Sequence, residues 1–274
     1  MDGTQSNKGR MRKLTVFCVC FVAALIGAAF IPGDQIKGMS IPPAVPDQNL
    51  TIQYQYTASL PERITQIQDV QERKQCLIEI LLPLVLQANE SILKQRLLIN
   101  NLSRKLPDLT EDEQLTLIAL ADMYRVEADS PEATVEELLK RVDVLPVSLI
   151  LAQAAIESGW GTSRFSFEGN NIFGMRTPTG YGIIPRARPS HERFAVSQFD
   201  DLQSCIDYYL WNINTNPQYE ELRQIRSLND GQYDSFALAQ GLNNYSEQGY
   251  EYVRKVERLI SHNSLKEYDE YRLQ

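Results

Sequence analysis

The run LILAQAAIESGWGTSRF, residues 149 to 165, is almost unbroken apolar sequence that ends on one ionisable group, Glu157, and continues at once into Ser-Gly-Trp-Gly. A carboxyl group held among apolar neighbours is harder to ionise than one in water, so it stays protonated closer to neutral pH. That is what a general acid needs, for example one that protonates a glycosidic oxygen as the bond breaks. The same spacing also fits a structural Glu bonded to backbone or to an arginine. Trp160, between two glycines that let the backbone turn tightly, offers sugar C–H groups an aromatic face, though tryptophan is also a common core residue. Thirteen residues after Glu157 comes NNIFGM, in which Asn170 and Asn171 can bond to hydroxyl or acetamido groups or can serve as loop residues.

These residues need a rigid support, and the apolar run supplies one. Leu149, Ile150, Leu151, Ala152, Ala154, Ala155 and Ile156 leave no wide polar face, so the segment reads as a helix through the core. Pro146 suits its first turn and Gly159 its left-handed end, which puts Glu157 in the last turn. The helix dipole disfavours a carboxylate there by roughly 0.3–1 kcal/mol, and burial contributes several times more. Capping signals predict further helices: Ser59 with Glu62 opening a segment to about Leu102 that Pro83 kinks or splits, Thr110 with Glu113 opening 111–124, and Thr134 with Glu137 opening 135–143. From Gly159 to Ser197 the glycines and prolines predict loops and at most a small hairpin. Helical periodicity returns over 200–214, 219–226, 234–241 and 250–261.

Composition bounds the function classes. The chain has 274 residues, 43% apolar and 23% charged, with a net charge of −8. Residues 1 to 13 alone carry +3, from Lys8, Arg10, Arg12 and Lys13 against Asp2, so the remaining body is strongly acidic and no nucleic-acid partner is expected. The uncharged segment 14–31 behind that basic start reads as an export signal, either cleaved after Ala29 or kept as a membrane anchor, and is the only expected membrane contact. Prolines 32, 42, 43 and 46 predict a linker over 34–60. Cys76 and Cys205 read as a disulfide or as two buried thiols. His191 and His262 stand alone, no metal-ligand spacing occurs, and no cofactor is expected.

Four motifs in order carry a resemblance: RVDVLPVSLILAQAAIESGWGTSRF, GNNIFGM, SQFDDLQSCIDYYLWNINTNPQY and GLNNYSEQGYEYVRKVERLI. Together they resemble the Bax-type members of the bacterial N-acetylglucosaminidase family, which includes the flagellar-rod peptidoglycan hydrolase. The resemblance implies an α+β, mainly helical, lysozyme-like domain over 131–265 with a small loop or hairpin lobe, a helical extension over 61–130 before it and a tail over 266–274. It implies peptidoglycan glycan strands as partner and hydrolysis of the β-1,4 bond after N-acetylglucosamine. Glu157 then matches the general acid and Tyr245 an active-site tyrosine. Trp160, Asn171 and Phe173 match cleft motifs, Phe173 also fitting the core beneath, and Asn170 and Tyr181 complete the expected substrate-contacting set. A second carboxylate is expected only from Glu192; without one the substrate's own N-acetyl group can serve as nucleophile. A lytic transglycosylase or muramidase, and an inactive glycan-binding module, are the alternatives.

Overall fold

The structure, a computed structural model, describes residues 50–177, 181–186, 188–189, 191–228, 231 and 233–274. The export segment 14–31, with Cys18 and Cys20, and the first part of the expected linker lie outside the described residues. The chain is mainly helical. After a short strand β1 (Thr51–Ile52) come helices α1 (Val70–Lys105), α2 (Glu111–Tyr124), α3 (Pro131–Arg141), α4 (Val147–Ser158) and α5 (Arg164–Glu168). Strands β2 (Arg176–Thr177) and β3 (Ala195–Val196) follow, then α6 (Leu202–Thr215), α7 (Glu220–Leu228), α8 (Ser235–Gln240), α9 (Tyr250–His262) and β4 (Arg272–Leu273).

Helix starts obey local chemistry, in two cases not the chemistry expected. The Thr110–Glu113 capping box is present and opens α2 at Glu111. The Ser59–Glu62 signal, by contrast, opens no long helix: Glu62–Thr65 is a single 3-10 turn without a side-chain cap, and α1 starts at Val70, where Asp69 accepts from the Glu72 N–H. Ser130 caps α3 and Pro131 takes its first position, so α3 begins before Thr134, whose hydroxyl bonds back to the Ser130 carbonyl. Pro83 does not split α1, which runs through it for 36 residues. Leu81, Leu82, Leu84 and Val85 are all buried around the proline, and this packing against α3, α4 and α6 holds the helix where one backbone hydrogen bond is missing. By length and composition α1 is apolar enough to cross a membrane, but 56% of that stretch is buried, which makes it a spine of the core.

Helix α4 runs through the centre. Ten of its twelve residues are buried, and only Ile156 and Glu157 are partly exposed. It packs against α1, α8, α9 and the 3-10 turn Leu265–Glu270. Its N-terminus, opened by Pro146, has no cap of its own. The Ser148 N–H and hydroxyl donate instead to the two carboxylate oxygens of Asp269, at 2.7 and 2.8 Å. Residues 266–274 therefore pack as part of the fold, and β4 pairs in parallel with β1, inside the segment expected as linker. A single hydrophobic core joins α1 to α4, α6 and α9.

The approach to α4 is clamped by two arginines, one fully buried and one partly buried. Arg226, 1% exposed, donates to the carbonyls of Lys140, Arg141, Asp143 and Val144, and Arg96 donates to those of Leu139 and Val142. Asp143, 4% exposed, lies 3.4 Å from Arg96 and accepts from the Tyr233 hydroxyl. The lobe between α5 and α6 is a small antiparallel hairpin, β2 with β3, extended by a bridge between Ile183 and Val196. Cys76 and Cys205 are free thiols, and burial pushes the Cys205 thiol up to about 12. Asp269→Ala is expected to remove roughly 1–2 kcal/mol by uncapping α4, lowering Tm by a few degrees. Thermal melts check it: a variant melting with wild type would mean that this contact adds nothing.

Candidate active site

Glu157 sits where α4 stops. Gly159 takes the left-handed conformation at φ 58° and ends the helix, and Ser158 anchors the following turn by accepting the Gly161 N–H at 2.8 Å. Burial raises the Glu157 pKa, partly offset by a hydrogen bond from Tyr252 and the charge of Lys255. The Tyr252 hydroxyl donates to Glu157 Oε1 at 2.8 Å. Oε2 faces Gly174, where an added Cβ would lie 3.6 Å away. Gly174 has φ +65°, so this turn suits glycine and keeps side-chain bulk off the carboxyl.

A buried polar chain stands behind the carboxyl. Gln153 lies one helical turn before Glu157 and is fully buried, as is Tyr209. The Tyr209 hydroxyl donates to Gln153 Oε1, Gln153 Nε2 donates to the Tyr252 hydroxyl at 3.2 Å, and Tyr252 donates to Glu157. With both ends of the glutamine amide engaged, the Tyr252 proton is directed at the carboxyl. Such a chain tolerates either protonation state of Glu157, because the Tyr252 donor remains useful to both. A carboxyl so held can give a proton to, or take one from, a group that reaches Oε2.

Aromatic rings wall this arrangement. Tyr245 stacks on Tyr252 with centroids 5.2 Å apart and interplanar angle 13°, and Tyr219 tilts against Tyr245. The Tyr245 hydroxyl donates to the Phe173 carbonyl at 3.1 Å, which ties its loop to the Phe173–Gly174 turn at Glu157. Phe173 is itself buried at 2% exposure and stacks on Tyr209 at 3.9 Å, so it is the core beneath the site. Asn171 is 1% exposed; its amide protons go to the carbonyls of Met175 and Ser197 while its oxygen accepts the Met175 N–H. Asn170 donates to the carbonyls of Phe199 and Asp200. In this arrangement Asn171 and Phe173 shape the loop around Glu157 and have little surface left to offer a ligand.

The remaining candidates lie elsewhere. Trp160, half-buried, carries the Lys74 ammonium over its ring at 5.1 Å, and the next residue, Gly161, packs against Ile64, Leu77 and Leu60. One face of the indole is thus turned to α1. Tyr181 is 85% exposed on the hairpin lobe, and Glu192 is near His191, at 4.0 Å. Sequence reasoning missed Gln153, Tyr209, Tyr252 and Gly174. Gln153 had a signal, as the one polar side chain buried inside the apolar run and four residues before Glu157. Tyr252 had none, since it falls with Val253, Val256 and Ile260 on the apolar face of α9 and reads as core.

The raised pKa carries a stability consequence of definite sign. Folding favours protonated Glu157, so its contribution is full below the unfolded value near 4.3 and is lost as pH rises through the higher folded value. Glu157→Gln is expected to melt at or above wild type, by a margin that widens between about pH 4 and pH 7. Parallel melts check the sign; a margin that narrows with pH would contradict it. Tyr252→Phe removes a donor to the carboxylate and is expected to raise the Glu157 pKa further, which carboxyl-carbon NMR titration reads directly.

Comparison with known proteins finds similarity over the segment that carries this geometry. Residues 132–265 match the glucosaminidase family model, described as mannosyl-glycoprotein endo-beta-N-acetylglucosaminidase. Protein bax of Escherichia coli is 28% identical over 186 residues, 66% of this chain and 66% of that protein. Exo-glucosaminidase LytG of Bacillus subtilis is 24% identical over 156 residues, 54% of this chain and 55% of its own. Peptidoglycan hydrolase FlgJ of Vibrio parahaemolyticus is 31% identical over 117 residues, 36% of this chain and 38% of its own. The chain thus spans less than two thirds of each relative's length, and no solved structure matches it. The match to the glucosaminidase family model thus falls on the segment, residues 132–265, that carries Glu157, Gln153, Tyr245 and Tyr252.

Proposed function

We propose that this protein is an exported peptidoglycan hydrolase that cleaves the β-1,4 bond after N-acetylglucosamine, with Glu157 as general acid in a lysozyme-like domain. The single observation that carries the reading is the state of Glu157: buried enough for its pKa to rise, yet with Oε2 turned to a glycine rather than to a partner. A structural Glu would be expected to engage an arginine or backbone N–H groups, and Glu157 accepts from a tyrosine hydroxyl instead. The names of two relatives, an exo-glucosaminidase and a peptidoglycan hydrolase, support the bond type and the polymer. Cell-wall chemistry also supports export, in keeping with the basic and apolar start of the chain.

On this reading the protonated carboxyl donates to the glycosidic oxygen as the bond to the leaving sugar breaks, and the resulting carboxylate is stabilised by Tyr252 and by the charge of Lys255. The aromatic wall of Tyr245, Tyr252 and Tyr219 excludes water from the donor side. Tyr245 acts by holding the Phe173–Gly174 turn against the carboxyl. A second reading has a specific motive. Glu192 is near His191 on the hairpin lobe, and the charged group acting on Glu157 is the cation Lys255. Chemistry with one protein carboxyl, in which a hydroxyl or acetamido group of the substrate is the nucleophile, therefore competes with the two-carboxylate course.

Digestion of purified peptidoglycan with mass analysis of the fragments tests the proposal. Reducing N-acetylglucosamine ends are expected; anhydro-sugar ends would establish a transglycosylase, and no release would leave a binding module. Glu157→Gln is expected to lower the rate by about 10² to 10⁴. An active but destabilised Glu157→Gln protein would remove Glu157 from the chemistry. Tyr245→Phe is expected to lower turnover about tenfold, as the loss of one positioning hydrogen bond of about 1 kcal/mol allows, with the fold retained by circular dichroism.

A further inference from the structure

At the N-terminal edge of the matched segment and mostly before it, α2 and the facing ends of α1 and α3 border an open hollow of about 920 Å³. Its apolar lining includes Leu106, Leu117, Ile118 and Val126, and its acidic rim Asp122, Glu127, Asp129 and Glu132. Ile118 is 57% exposed, and Leu115, one turn away on the same helix, is 59% exposed. Two large apolar side chains on one outer helix face beside an apolar hollow form the kind of patch that marks an interaction surface.

The charge around this hollow narrows what fits it. Residues 106–139 hold ten carboxylates against one cation, Arg125, in a chain whose whole net charge is −8. Some of these carboxylates have evident local duties. Glu113 closes the capping box and pairs with Lys105, and Glu132 suits the first turn of α3. Asp122 has none. It stands in the last turn of α2, where the helix dipole disfavours a negative charge, and that turn contains no basic residue. Among the described residues no ion pair involves Asp122, Glu127 or Asp129. A field of this sign repels glycan strands bearing anionic stems, nucleic acid and anionic lipid alike.

We infer that this groove docks a partner protein through an amphipathic helix with lysine or arginine along its polar edge, its apolar face lying on Ile118 and the hollow and its cations on the acidic rim. This is the helix-in-groove mode, with charge setting partner choice. The inference does not rest on the glycan chemistry of Glu157.

The test uses the full-length protein and two labelled synthetic helical peptides of about 20 residues, one built from leucine and lysine and the other from leucine and glutamate, read by fluorescence anisotropy. The lysine peptide is expected to bind with a Kd of about 10 μM, weakening as salt rises, and at least about tenfold more tightly than the glutamate peptide. Ile118→Asp, and separately Asp122→Lys with Glu127→Lys, are each expected to lower its affinity about tenfold or more. Both variants should keep the wild-type circular dichroism spectrum and wild-type activity on peptidoglycan, since these side chains are exposed and remote from Glu157 in sequence. Equal affinity for the two peptides, equal binding by wild type and variants, or no binding of the lysine peptide overturns the inference. So does self-association that Ile118→Asp abolishes, which would make a second copy the occupant.

Discussion

A carboxyl group whose pKa burial raises needs apolar surroundings on most sides, and the fold supplies them to Glu157 through α4. The only segment that can provide it is a helix buried along its whole length, and such a helix cannot end like a surface helix. Its first N–H groups have no water to turn to, so Asp269 meets that of Ser148 and the Pro146 carbonyl meets those of Leu149 and Ile150. Its last turn cannot run on into another helix without covering the carboxyl, so it stops at Gly159 in a conformation few other residues adopt readily. The polar side chain buried at its middle, Gln153, has to be satisfied within the core, and it is, by two tyrosines from α6 and α9. Each of these solutions recruits a different part of the chain, which is why α1, α6, α9 and the C-terminal turn all converge on α4.

Arg226 and the partly buried Arg96 solve a related problem one step upstream. The connection from α3 to α4 passes through the interior, where its carbonyls would otherwise lack partners. Arg226 and Arg96 supply several donors each to these carbonyls, and Asp143 brings the compensating charge. The result is a rigid entry to α4 built from peptide groups rather than from packing. Removing Arg226 would take the donor from four carbonyls, and removing Arg96 would take it from two and the compensating charge from Asp143, so the entry to α4 depends on charges well away from Glu157.

Much of this was legible in the residues. The apolar run, Gly159 after it, the last-turn position of Glu157 and the capping box at Thr110 all follow from local rules, and α2 falls on the expected 111–124. What local rules missed were contests between neighbouring signals. Asp69 outcompeted Ser59 because Pro61 interrupts the turn that Ser59 would cap, and Ser130-Pro131 outcompeted Thr134 because it comes first and fits the first helical position. The chemistry around Glu157 was half visible. Tyr245 could be matched by motif, but Tyr252 sits on an apolar helix face where a hydroxyl leaves no trace in the hydrophobic pattern, and Asn171 looked like a ligand contact until its partners were known. Asp269 could not have been read at all, since a cap supplied from 121 residues away has no local signature.

That distance has a consequence for the order in which the molecule can be made. The cap on α4 and the partner of β1 both come from residues 269–273, so the central helix and the first described strand each wait for the last stretch to arrive. A chain that emerges from its N-terminus onward, whether from a ribosome or through a membrane pore, would hold α4 uncapped until Asp269, 121 residues after Ser148, has emerged. The helix that presents Glu157 would then reach its final state only as the end of the chain came free. On the proposed export, the segment that carries Glu157 would be finished in the compartment that receives residues 269–273, and not in the one that supplies them.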